Sequence, residues 1–185
     1  MEPQIKLVEE IDELYKFTLE GVNVSIANAI RRTILNDIPT VVIRTENYKD
    51  NQCTFLKNTT RLHNEILKQR LSCIPIYMQL DELDLLPNNY ELVVDVKNED
   101  DKTMYVTTEH FKIRKKEGGK YLSPAEHLRI FPPSKQNYFI DFVKLRPKIS
   151  DSIPGDELSF IADFSISTAK TNSMFNVVSK CAYGN

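Results

Sequence analysis

Apolar and polar residues alternate most cleanly near the end of the chain. Leu158, Phe160, Ala162, Phe164 and Ile166 fall on one side, and Ser159, Asp163, Ser165 and Ser167 on the other. Successive strand side chains point to opposite faces, so this run predicts a strand with one covered face. The same period recurs at 90–97, where Tyr90, Leu92, Val94 and Val96 oppose Glu91, Asp95 and Lys97. A shorter version spans Tyr15 to Val22, with Phe17 and Leu19 against Thr18 and Glu20, until Gly21 breaks it.

Two stretches change to the helical period. From Ser25 to Asp37, Ala27, Ile30 and Ile34 share a face while Asn28, Arg31 and Arg32 lie elsewhere. Ser25 is the expected cap, its hydroxyl taking an orphan amide of the first turn. Pro39 stops the helix, because the residue before a proline is pushed out of helical backbone. The β-branched run Thr40 to Arg44 then predicts a strand, and Asn47 to Thr59 reads as a polar loop. A second helix is expected from Thr60 to Cys73. It carries one stripe of Leu62, Ile66 and Cys73 and a neighbouring one of Leu67, Leu71 and Ile74, a width suited to burial on a sheet. Beyond it, Asn98 to Asp101 reads as a turn leading to a partner strand at Met104–Thr108. Lys115 to Lys120 reads as an exposed hairpin tip, and Tyr138 to Leu145 as another strand.

These elements predict an α+β protein in which one domain interrupts another. Residues 1–77 and 153–185 form the outer domain, a sheet packed on two helices, and residues 78–152 an inserted β-rich domain. A chain of 185 residues with 41% hydrophobic content can build such a core. Its net charge of -2 argues against a dedicated nucleic-acid binder. No apolar run is long enough to span a bilayer, and the Met1-Glu2-Pro3-Gln4 start is not that of a signal peptide, so an intracellular protein is expected. Cys53, Cys73 and Cys181 are scattered with no paired spacing, which reads as ordinary thiols and not a zinc or redox site.

A search for chemistry returns little. The acidic run Asp81-Glu82-Leu83-Asp84 has no nearby histidine. His63 and Glu65, two apart on the second helix, are expected on different faces. His110 and His127 lack a second ligand at metal spacing. Five glycines leave little to build a phosphate cradle, and no nucleophile or nucleotide motif occurs. The basic tip Lys112, Arg114, Lys115, Lys116 and Lys120 lacks interleaved aromatics. The expectation is therefore no catalytic residues, no cofactor and no metal. The first helix is more informative. Small Ala27 and Ala29 let a neighbour approach closely, and Arg31 and Arg32 offer forked donors suited to carboxylates on a partner.

The stretch from Phe17 to Pro39, centred on Asn28-Ala29-Ile30-Arg31-Arg32, resembles the first strand and helix of the alpha-like subunits of multi-subunit DNA-directed RNA polymerases. That family comprises the archaeal D-type protein, the eukaryotic third-largest subunit and the bacterial alpha N-terminal domain. His63-Asn64-Glu65, with Arg70-Leu71 and Ile74-Pro75, is similar to the family's second helix. Val143 to Pro147, and Ala169-Lys170 with Phe175, match later segments. The resemblance implies a split dimerisation domain and a non-catalytic scaffold role within a nucleotidyltransferase complex. The implied partners are a small alpha-like subunit (archaeal L-like or the eleventh eukaryotic subunit) and the second-largest and largest subunits, with DNA reached only through the complex and no membrane. It places Ala27, Asn28, Ile30, Arg31, Arg32, Ile34, Leu35, His63, Glu65, Arg70, Ala169 and Lys170 at partner interfaces.

The sequence departs from the family at Thr168, where a histidine usually precedes Ala-Lys, and at Asn176-Val177. It carries no cysteine cluster in the insert, and no long dimerisation helix after Asn185. Weak dimerisation alone is therefore expected, with that helix truncated, fused downstream or supplied separately. A composition rich in Asn, Lys and Ile and poor in Gly fits an AT-rich genome such as that of a large DNA virus or a protist, so the expected place is a nucleus, or a cytoplasmic viral factory or virion if the source is viral. The competing readings are an interaction module of the same fold in another complex, and a hydrolase using Asp81, Asp84 and His63.

Overall fold

The computed structural model describes residues 2–11, 14–150 and 152–184. The chain forms two compact units, residues 1–38 with 168–185, and residues 39–167. That division differs from the expected one at 77/78 and 152/153. The α+β class stands: helices and antiparallel strands both occur, with strands that are distant in sequence hydrogen-bonded to one another.

In the first unit, β1 (Gln4–Ile11) and β2 (Leu14–Glu20) form an antiparallel ribbon, with a register shift between Leu7 and Glu9. Gly21 follows at φ 74; a side chain there would put its Cβ 2.4 Å from the Glu2 carbonyl oxygen, so only glycine lets the chain pass. Next comes α1 (Val24–Asn36). Its cap is Asn23 and not Ser25: the Asn23 Oδ1 accepts the Ile26 amide at 3.0 Å. The helix begins one residue earlier than expected, so Ser25 already lies inside it. Asp37 closes its far end, donating its amide to the Thr33 carbonyl. The returning segment is tied there too, since the Lys170 amide donates to the Asn36 carbonyl at 3.0 Å.

In the second unit come β3 (Thr40–Val42), β4 (Cys53–Asn58) and α2 (Asn64–Ser72). They are followed by α3 (Leu85–Asn89), β5 (Tyr90–Lys97), β6 (Met104–Thr107), β7 (Lys112–Lys115) and α4 (Pro124–Ile130). The unit ends with β8 (Asp141–Leu145), β9 (Glu157–Asp163) and β10 (Ser165–Ser167). The main sheet runs β4-β9-β5-β7, all antiparallel. One row of its inner face reads Cys53, Ala162, Leu92 and Ile113 across the four strands, and the next reads Phe55, Phe160 and Val94. Leu67 and Leu71 of α2, Leu86 of α3 and Val106, Val143 and Leu145 of the β6–β8 pair complete the same buried cluster. Phe111 sits edge-on to Phe131, Phe142 and Phe160, with centroids 5.5–6.2 Å apart.

Several expectations change here. The polar loop at 47–59 contains β4, whose inward residues are only Cys53 and Phe55 before a bulge. Met104–Thr107 pairs with β8 and not with 90–97, which is flanked by β7 and β9. The long alternation is broken at Phe164: beyond it the phase reverses, so that Ile166 is exposed and Ser167 buried, and β10 pairs with β3. Only one stripe of α2 is buried, Leu67 and Leu71 with Ile74 beyond; Ile66 and Cys73 face solvent.

A polar knot closes the β5 and β8 ends. The Asp156 carboxylate takes Arg146 in a forked pair, Nη2 to Oδ1 at 2.7 Å and Nε to Oδ2 at 2.9 Å, and also the Arg146 amide. Buried Asn98 donates its side-chain amide to the carbonyls of Lys102 and Arg146. Burial raises the Asp156 pKa, but hydrogen bonds and charge from Arg146 outweigh that and hold it below the ordinary range.

Candidate partner interface

A 13-residue helix in a folded protein normally buries a stripe, because packing and not propensity supplies most of its stability. None of the α1 residues is buried. The wheel divides in two. Ala27, Asn28, Arg31, Ile34 and Leu35 are half-covered, whereas Ile30 is 37% exposed and Ile26, one turn earlier, is 47% exposed. Ile26 was not among the expected interface residues, although its i, i+4 spacing to Ile30 could have found it.

The arginine pair is also divided. Arg31 Nε donates to Asn28 Oδ1 at 3.1 Å, one turn back, so Asn28 aims the Arg31 guanidinium. Arg32 is exposed, and neither arginine has an ion pair among the described residues. Ala169 is half-buried and Lys170 exposed, and the Lys170 amide bond to Asn36 brings both to the C-terminal end of α1. These nine expected residues thus gather in the first unit.

His63, Glu65 and Arg70 belong to the second unit. His63 precedes the first helical residue of α2, so helical spacing does not apply to it, and its Nδ1 lies 3.3 Å from Glu65 Oε2. The expectation of different faces is thereby corrected. Arg70 is turned to its own unit: Nε donates to the Phe142 carbonyl at 2.8 Å and Nη2 to the Asp141 carbonyl at 3.0 Å, fastening α2 to β8.

The other polar candidates have local roles. The Thr107 amide donates to His110 Nδ1 at 3.1 Å, and His127 Nε2 lies 3.1 Å from the Thr108 carbonyl. Asp81 and Asp84 are exposed, and among the described residues no group of three or more His, Cys, Asp or Glu could hold a metal ion. At the basic tip, Arg114 pairs with Glu91 and Lys116 with Asp163. No helix among the described residues is long and apolar enough to cross a membrane.

Comparison with known proteins places this geometry in context. A family model described as the RNA polymerase Rpb3/Rpb11 dimerisation domain matches residues 16–152. The DNA-directed RNA polymerase protein Rpo3 of Pyrococcus furiosus is 35% identical over 82 residues, 44% of this chain and 29% of the relative. The Rpo3 of Thermococcus kodakarensis is 33% identical over 101 residues, 52% of this chain and 36% of the relative. Subunit 3B of DNA-directed RNA polymerases IV and V of Arabidopsis thaliana is 35% identical over 74 residues, 40% of this chain and 21% of the relative. The matched stretch therefore spans well under two thirds of each relative, and α1 and α2 both lie inside the family match.

Proposed function

Because the chain belongs to the RNA polymerase Rpb3/Rpb11 dimerisation-domain family, we propose that it is a non-catalytic assembly subunit of a DNA-directed RNA polymerase. It pairs through α1 with a small alpha-like subunit. That pair is the platform on which the second-largest and largest subunits assemble, and DNA is reached only through the finished complex. Its place of work is the intracellular compartment that holds that polymerase.

One observation carries the reading: within the family match, α1 leaves Ile26 and Ile30 open to solvent and buries none of its own residues. Covering what is still exposed of each isoleucine contributes a fraction of the about 1.5–3 kcal/mol that burying a whole side chain of this size does. Arg31, aimed by Asn28, and exposed Arg32 supply forked donors at the rim of that face.

The test is co-expression with the small alpha-like subunit of the same source. Ile30→Asp is expected to abolish co-purification, and Ile26→Asp, at the more exposed of the two side chains, to weaken it while leaving the circular dichroism spectrum unchanged. Arg31→Glu with Arg32→Glu should weaken the pair. Recovery of the Ile30→Asp complex at wild-type yield would refute the proposal.

A further inference from the structure

The basic hairpin of the second unit has no part in the role assigned to α1. Five cations and one carboxylate fall within 112–120, in a chain whose net charge is -2. Two of the cations fasten the hairpin down. Arg114 is held by Glu91, Nη2 to Oε1 at 2.7 Å, and Lys116 by Asp163 at 2.8 Å and the Pro87 carbonyl at 3.2 Å. Lys112, Lys115 and Lys120 are exposed and have no ion pair among the described residues.

Lys115 and Lys120 stand opposite each other. Arg114 pairs with Tyr121 across the hairpin, and the Lys115 amide donates to the Lys120 carbonyl at 2.8 Å, which makes 115 and 120 the next cross-strand pair. Like charges directly opposite repel, with Cβ atoms about 5 Å apart. The turn between them holds Gly118 at φ 80 and Gly119 at φ 64, backbone that a side chain would strain, and nothing lies within 4 Å of either Cβ position. The fold thus keeps two ammonium groups together beside a bare turn, and a bridging anion would relieve their repulsion. Folding also adds an aromatic that linear spacing hides. Tyr121, 46% exposed, shares a face with its cross-strand partner Arg114 and with Lys112, two residues before Arg114.

We infer that this hairpin is a contact site for single-stranded RNA, with phosphate bridging Lys115 and Lys120 and a base stacked on Tyr121 beside Lys112. The two groups lie on opposite faces of the hairpin, so the ligand must bend around the turn. A single strand does so freely, whereas a duplex is stiff over about 150 base pairs. Stacking on an aromatic accepts every base, which suits contact without sequence readout. An acidic peptide would use the lysines and leave Tyr121 idle. The choice of RNA rests on the assembly reading, because a DNA-directed RNA polymerase releases its transcript as a single strand.

Fluorescence anisotropy of a labelled oligouridine, titrated with the full chain over a range of salt, is the test. Lys115→Gln with Lys120→Gln should weaken binding about 20-fold at about 0.1 M salt and lower the salt slope by about 1.4, as two lost phosphate contacts on a single strand require. Tyr121→Ala should weaken it about tenfold, and Tyr121→Phe should not. Circular dichroism checks that each variant is folded. No binding by the wild-type chain, equal binding by the lysine variant, or tighter binding of a duplex of the same length overturns the inference. So does displacement by polyglutamate as readily as by unlabelled oligouridine. Ile30→Asp, in the other unit, should bind oligouridine as the wild type does. If it does so and also co-purifies with the small alpha-like subunit at wild-type yield, the hairpin site stands and the assembly reading falls.

Discussion

Among individual residues, the charged and thiol groups of the second unit have the most specific consequences. Asp156 titrates below its ordinary range in the folded chain, so folding is favoured by its ionised form. That contribution is full above the unfolded value of about 3.9 and is lost as pH falls through the lowered folded value. Denaturant midpoints should therefore drop between pH 5 and pH 2, and Asp156→Asn should flatten that drop; an unchanged slope in the variant would show that other carboxylates carry it. Cys53 is 1% exposed, and burial pushes its pKa up to about 12. Thiolates and not thiols react, so alkylation of the native chain should label exposed Cys73 quickly and Cys53 only on unfolding. Peptide mapping after a brief iodoacetamide pulse reads this directly. Phe111, in contact with three other rings, is a core position where truncation is costly: Phe111→Ala should lose about 3–5 kcal/mol in equilibrium denaturation.

At the level of elements, the sequence was readable wherever one period held for a whole element. The helix before Pro39 and the strands at 90–97 and 157–163 were found because Ile30 with Ile34, Leu92 with Val94, and Leu158 with Phe160 keep a constant phase. Phase breaks hid the rest. The bulge at Val8 disrupts alternation in β1, and the bulge between Phe55 and Lys57 disguises β4 as a polar loop. At Phe164 the chain leaves one sheet for another, so a pattern that looked like one strand serves two. The cap was misplaced because Asn23 and Ser25 are both competent capping residues two positions apart, and only backbone geometry chooses. Asn23→Ala should accordingly cost about 1 kcal/mol of α1 stability, measurable by amide exchange at Ile26 and Ala27, while Ser25→Ala should cost little. The α1 candidates were legible as a set, whereas the inward turn of Arg70 was not, since a carbonyl acceptor on a distant strand leaves no mark in local sequence.

For the whole molecule, the two units are unequal. Every member of the buried hydrophobic cluster lies between Val41 and Phe164, in the second unit. A fragment spanning residues 39–167 should fold alone, giving a cooperative denaturation curve and dispersed amide resonances. A broad, non-cooperative transition would mean that it needs the rest of the chain. The first unit has no comparable cluster among its described residues, which fits a surface completed by another polypeptide. The expected split at 77/78 and 152/153 followed the change in element pattern along the chain, but β9 binds β4 on one edge and β5 on the other, so one sheet joins segments from both sides of that split.

That central position of β9 also sets a timetable for synthesis. A nascent chain that has already displayed Phe55, Leu67 and Leu92 must wait for Glu157–Asp163 to leave the ribosome before its main sheet can close. The gap from β4 is roughly a hundred residues, on the order of 5–20 s at ~5–20 residues per second. During that interval the half-made protein is exposed to chaperones and to its neighbours on the same message. Slow codons just before β9 would lengthen the hazard, and fast ones would shorten it.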